Sequence, residues 1–135
     1  MESIELTRTI AAPPEAVRDA LTDLEPFMRA AGFDDVAIEG DTAELSKALG
    51  LFKVSLTVRV VDDDAALAYE QVDGIFESMR TTYTLSGRDG ETEVTARTEF
   101  GLDAPGGSIL DATLIKRQRR KELEAQFEYL DAEAT

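Results

Sequence analysis

The stretch Leu51-Phe52-Lys53-Val54-Ser55-Leu56-Thr57-Val58-Arg59-Val60 decides the fold class. Phe52, Val54, Leu56, Val58 and Val60 fall on one side, and Lys53, Ser55, Thr57 and Arg59 on the other. That period of two belongs to a strand with one face buried and one in water. Downstream, Asp62-Asp63-Asp64 reads as a solvated turn, because the glycine and closing glutamate of a calcium loop are missing. Strands then follow near 66–73, 76–87 and 91–102, joined at Asp73-Gly74 and Arg88-Asp89-Gly90. Met79, Thr81, Tyr83 and Leu85 share a face of one, and Val94, Ala96, Thr98, Phe100 and Leu102 a face of the next. Upstream, strands near 34–39 and 42–48 turn at Gly40-Asp41, and Ile4, Leu6 and Ile10 alternate with Glu5, Thr7 and Thr9 across 3–11. Alternation this regular predicts an antiparallel sheet covered on one side, its wet side carrying Lys53, Arg59, Arg80, Arg97, Glu99 and threonines.

Helical signals sit at two places. Ala12-Pro13-Pro14-Glu15 opens a short helix with proline in its first turn, and Val17, Ala20, Leu21 and Leu24 form its apolar face. A second short helix is expected over Glu25 to Ala31, stopped by Gly32. After Ala104-Pro105-Gly106-Gly107, Ser108 and Asp111 fit an N-cap and its partner three residues on. The helix they open is expected to run for about 25 residues, on the order of 37 Å. No linker or repeat divides the chain, so one α+β domain over residues 1–135 is expected.

Composition narrows function. A chain of 135 residues buries a core without disulfides or metal, and with no cysteine a cytoplasmic location is the natural expectation. MESIELTRTI lacks the basic-then-apolar order of a signal peptide, and no apolar run is long enough to span a bilayer. With neither His nor Cys there is no zinc site of the usual ligands, and no Ser-His or Cys-His nucleophile. No metal, no cofactor and no catalytic set are expected, which leans the reading away from an enzyme. The net charge of −14, from 28 acidic and 14 basic residues, repels phosphate backbones and disfavours nucleic acid. The acids are scattered among 43% apolar residues, so they decorate a folded surface. Four lysines, Lys47, Lys53, Lys116 and Lys121, against ten arginines, with many Asp, Thr and Ala, resemble the composition of proteins from salt-accumulating halophiles.

Thr9-Ile10-Ala11-Ala12-Pro13-Pro14-Glu15-Ala16-Val17 is similar to an opening strand that runs into the "a-P-x-e-V" of the START-like (Bet v 1-like, SRPBCC) superfamily. Asp73-Gly74-Ile75-Phe76 followed by Met79, and Gly90-Glu91-Thr92-Glu93-Val94, resemble the meander of its polyketide cyclase and coenzyme-Q-binding branches. The resemblance covers essentially the whole chain. It implies a helix-grip fold: a curved antiparallel sheet of about seven strands around a long C-terminal helix, with two short helices after the first strand. It also implies a cavity between sheet and helix for a hydrophobic or amphiphilic small molecule that is lipid-, polyketide- or quinone-like. A cyclase or dehydratase using the same pocket, and an interaction module with a filled core, are the alternatives. A volume of ~300 Å³ or more separates a ligand pocket from a filled core.

If the apolar face turns inward, Val54, Leu56, Val58, Tyr69, Met79, Thr81, Tyr83, Ala96, Thr98 and Phe100 are the candidate ligand contacts, or else plain core. Lys116 and Arg119 share the helix stripe of Ile109, Ala112, Leu123, Phe127 and Leu130. Either they line the cavity or they reach past its rim to water or carboxylates. Arg8, between Leu6 and Ile10, poses the same question. Three cations around a cavity would select an anionic head group; the same three paired with Glu70, Glu77 or Asp73 would be structural. A second stripe, Leu110, Leu114, Ala125 and Tyr129, packs on the short helices or supports self-association, so a monomer or weak homodimer is expected.

Overall fold

In the computed structural model, residues 1–102 and 112–135 are described, with the side chains of Leu49 and Phe52 excepted. The order is β1 (Glu2–Ile10), α1 (Pro14–Thr22), α2 (Leu24–Ala30), β2 (Asp35–Glu39), β3 (Thr42–Leu49), β4 (Phe52–Val60), β5 (Leu67–Gly74), β6 (Ser78–Arg88), β7 (Glu91–Gly101) and α3 (Ala112–Ala134). One seven-stranded sheet runs β1-β7-β6-β5-β4-β3-β2, every pair antiparallel. This is the expected helix-grip architecture. The proposed cap at Ser108 and Asp111, and the expected roles of Ile109 and Leu110, lie outside the described residues.

Alternation produces the core. On β7, Thr92, Val94, Ala96, Thr98 and Phe100 are buried, while Glu91, Glu93 and Arg97 stand in water. Arg80 and Arg97 remain on the outer face and pair there, Arg80 with Asp63 and Glu70, Arg97 with Glu5 and Glu99. Val17 and Leu21 of α1, Phe27 and Met28 of α2, and Leu123, Phe127 and Leu130 of α3 complete the apolar interior. The α3 helix packs on β1, α1 and α2.

One irregularity shapes the cavity. Thr57 lies opposite Asp73 but Val58 opposite Gln71, so Val72 is an extra residue on β5. A bulge of this kind bends its strand. Gly74 closes the bend at φ +154°, where an added Cβ would come 2.7 Å from that of Leu56. The Gln71 amide then ties the turn, donating to the Phe76 carbonyl at 2.8 Å and accepting the Phe76 N–H at 3.2 Å. Ile75 and Phe76 are thereby held over the inner face, between β4 and α3.

Candidate functional site

The buried stripe of α3 is Ile115, Arg119, Glu122, Leu123, Gln126, Phe127 and Leu130. Its spacing is helical, but its middle is charged and polar where a solid core takes apolar residues. Arg119 is 8% exposed and Glu122 5%. Opposite them, β3 turns Ala43, Leu45 and Lys47 inward, and Lys47 is 7% exposed. The Lys47 ammonium donates to one Glu122 oxygen at 2.8 Å, and Arg119 Nη1 donates to the other at 2.5 Å. Lys47 also sits 5.3 Å from the centre of the Phe33 ring, a cation–π distance. Nearer solvent, Gln118 Nε2 donates to Glu122 at 3.2 Å.

Arg119 reaches from the helix to the sheet. Its Nη2 donates to the hydroxyls of Thr81 and Thr98, each at 3.2 Å, and those two hydroxyls are 2.9 Å apart. Behind them Tyr83 donates to Gln126 Oε1 at 2.5 Å, while Gln126 Nε2 donates to the Phe27 carbonyl at 3.2 Å. With the Tyr83 proton committed to Gln126, the 3.3 Å contact between the two tyrosine hydroxyls uses the proton of Tyr69. Among the described residues, Arg119 Nε is the buried side-chain atom left without a hydrogen-bond partner.

Electrostatics fixes the protonation states. Burial opposes ionisation of Glu122, but the charges of Arg119 and Lys47 and their hydrogen bonds outweigh it and hold its carboxyl below the usual range. Burial also opposes charge on Arg119, yet the Glu122 carboxylate keeps the guanidinium firmly protonated. Burial pushes the Tyr83 phenol well above its ordinary value, so it stays neutral and acts as a donor. The cluster is therefore an ionised carboxylate between two cations, backed by neutral hydroxyls.

A cavity of about 30 Å³ borders the cluster. Phe33, Val54, Leu56, Phe76, Met79 and Ile115 make its apolar wall, with Ile75; Lys47, Gln118, Arg119 and Glu122 make its polar side. A wider depression of about 520 Å³ lies open at the β2–β4 end, bounded by Arg29, Asp35, Glu44, Lys53 and Asp73 among others. It is polar and solvent-washed, so the smaller apolar cavity is the better candidate for a small molecule.

The predicted contacts divide into three groups. Val54, Leu56, Met79 and Arg119 line the cavity. Val58, Tyr69, Thr81, Tyr83, Ala96, Thr98 and Phe100 are buried on the inward face but do not line it. Thr81, Thr98 and the tyrosines form the polar layer behind Arg119, and Val58, Ala96 and Phe100 are packing. Arg8 and Lys116 are corrections to the cavity reading. Arg8 pairs with Asp131 at the surface, and Lys116 is 44% exposed and pairs with Glu2 at 3.4 Å. Both sit where β1 meets α3, and their long stems carry the charge outward to carboxylates in water. None of the proposed partners Glu70, Glu77 or Asp73 is used by these cations.

Sequence reasoning missed Lys47, Glu122, Gln118 and Gln126. The signals were present: Lys47 continues the inward series Ala43, Leu45, and Glu122 and Gln126 follow Ile115 and Arg119 at helical steps. Among the described residues no cluster of three metal-ligating side chains occurs, and no helix is long and apolar enough to cross a membrane.

A family model described as "Polyketide cyclase / dehydrase and lipid transport" matches residues 1–135. No curated protein matches the chain. Among solved structures, the Zhui aromatase/cyclase of Streptomyces sp. R1128 is similar at 20% identity and TM-score 0.79, over 98% of this chain and 93% of that one. A protein from Thermus thermophilus is similar at 20% identity and TM-score 0.78, over 98% and 97%. A START superfamily protein from Mycobacterium smegmatis is similar at 13% identity and TM-score 0.73, over 96% and 94%. At these identities the likeness is one of fold.

Proposed function

Because this chain belongs to the polyketide cyclase / dehydrase and lipid transport family, we propose that it binds and carries a hydrophobic or amphiphilic small molecule between its sheet and α3. The observation that carries this reading is the charged cluster of Lys47, Arg119 and Glu122 set into one side of an otherwise apolar cavity. Stability alone does not call for it, since well-packed apolar residues usually serve as well as a buried ion cluster, or better. An apolar wall with a few convergent polar groups is the general form of a small-molecule site.

Carriage fits this chemistry better than cyclisation. A general acid near neutral pH needs a carboxyl raised above its ordinary value, whereas Glu122 is held below it by two cations. The Tyr83 proton is already given to Gln126. The cavity of about 30 Å³ has room for a water molecule or two, not for a lipid. Binding therefore selects a wider arrangement, with Ile75 and Phe76 of the β5–β6 turn moving away from Ile115 of α3. The same small volume supports the second reading, an interaction module with a filled core.

Native mass spectrometry of protein taken from its own host separates the two. The carrier reading expects a stoichiometric adduct that organic solvent extracts as a small apolar molecule. Protein that flies without an adduct, and gains none from a panel of fatty acids, quinones and aromatic polyketides, overturns it in favour of the filled core.

A further inference from the structure

The charge balance inside the site deepens that reading and rests on it. Among the described residues, the charged groups more than nine-tenths buried are Lys47, Arg119 and Glu122. Two cations face one carboxylate, so the interior holds an excess of one positive charge. Thr81, Thr98 and Gln126 beside the cluster carry no ionisable group, and burial keeps Tyr83 neutral. An uncompensated buried charge is costly, and replacing a buried ionic cluster by well-packed apolar groups is often neutral or stabilising. The donors are in excess as well. Both Glu122 oxygens are taken, yet Arg119 Nε has no acceptor and the Lys47 ammonium spends one of its three protons. Both residues line the cavity.

We infer that the site takes a singly anionic amphiphile, its carboxylate received by Arg119 Nε and the Lys47 ammonium and its apolar tail held along Val54, Phe76, Met79 and Ile115. A carboxylate supplies the missing charge and two acceptor atoms for the two free donors. A neutral alcohol supplies neither the charge nor the second acceptor. The cavity as it stands holds a water molecule or two and Arg119 Nε is buried behind it, so head group and tail both enter as the wall moves.

Isothermal titration of the full chain with decanoate and with 1-decanol, at about pH 7.5 where the acid is ionised, tests the inference without any variant. Decanoate is expected to bind at least about tenfold more tightly, the worth of charge-assisted hydrogen bonds. In Lys47→Met the remaining Arg119 and Glu122 form a neutral pair, so this preference falls to within about threefold. Lys47→Arg restores it. The melting temperature of ligand-free Lys47→Met is expected to equal or exceed that of the parent, because the excess charge is gone. Equal affinity of the parent for both ligands overturns the anion inference and leaves the carrier reading standing. Binding of neither ligand overturns the anionic-amphiphile inference, and the carrier reading then stands or falls on the native mass spectrometry.

Discussion

Glu122 is the residue on which the interior depends, because it is the carboxylate that pairs with both buried cations. Glu122→Gln keeps the shape but leaves Lys47 and Arg119 unopposed, and removing one partner of a buried pair costs about 3–5 kcal/mol. The pH dependence gives a sharper check. The Glu122 carboxyl is held below its ordinary range in the folded chain and returns to about 4.3 on unfolding. Its contribution is therefore complete above that value and disappears as pH falls through the lower, folded one. Urea melts across this range are expected to show the gap between parent and Glu122→Gln closing as pH drops below about 4. A gap of constant size would mean that the charge of Glu122 contributes nothing. Arg119 was legible on the helix wheel as a cation on the apolar stripe. Lys116 looked equivalent, yet about 60° around the helix was enough to place it over β1 and Glu2.

At the scale of elements, β6 and the first turn of α1 meet closely. A Cβ at Gly87 would fall 2.5 Å from Cγ of Pro14, so the absence of a side chain sets how near α1 lies to the sheet. Gly87→Ala is expected to cost about 1–3 kcal/mol, the usual penalty of overpacking. Pro14→Ala in the same chain removes the colliding ring atoms and should recover part of that loss. Chemical denaturation of the four members of this cycle measures the coupling, and strict additivity would show that the contact does not matter. The short helices also hold the site. Phe27 of α2 is fully buried, lies edge-on to Tyr83 at 5.2 Å between ring centres, and receives Gln126 at its carbonyl. Strands and helices were readable because their periods are local, and boundaries moved by a residue or two, as with β5 at Leu67–Gly74 against the expected 66–73. The bulge at Val72 was not readable, because it is a relation between two strands and not a pattern within one.

Across the whole molecule, the imbalance of charge is the dominant surface property. A net of −14 on 135 residues makes mutual repulsion work against the folded state. Counterions screen that repulsion, with a screening length of about 10 Å at 0.1 M salt and about 3 Å at 1 M. Thermal melts are therefore expected to rise steadily from dilute buffer to molar KCl, and a flat or falling trend would remove the basis for the halophile reading. The buried cluster should respond far less, since salt screens enclosed pairs weakly. The sequence by itself determined the seven-stranded antiparallel sheet, the order of its helices and the inward faces of β1, β4, β6 and β7, because alternation and turn chemistry act between neighbours in the chain. Only the tertiary structure decided which cations are buried. Lys47 and Glu122 are 75 residues apart, and their meeting depends on how α3 lies across β3. Burial of a long charged side chain turns on whether its tip finds a carboxylate in water or in the interior. That choice separates Arg8 and Lys116 from Lys47 and Arg119, and it is made by packing between distant elements.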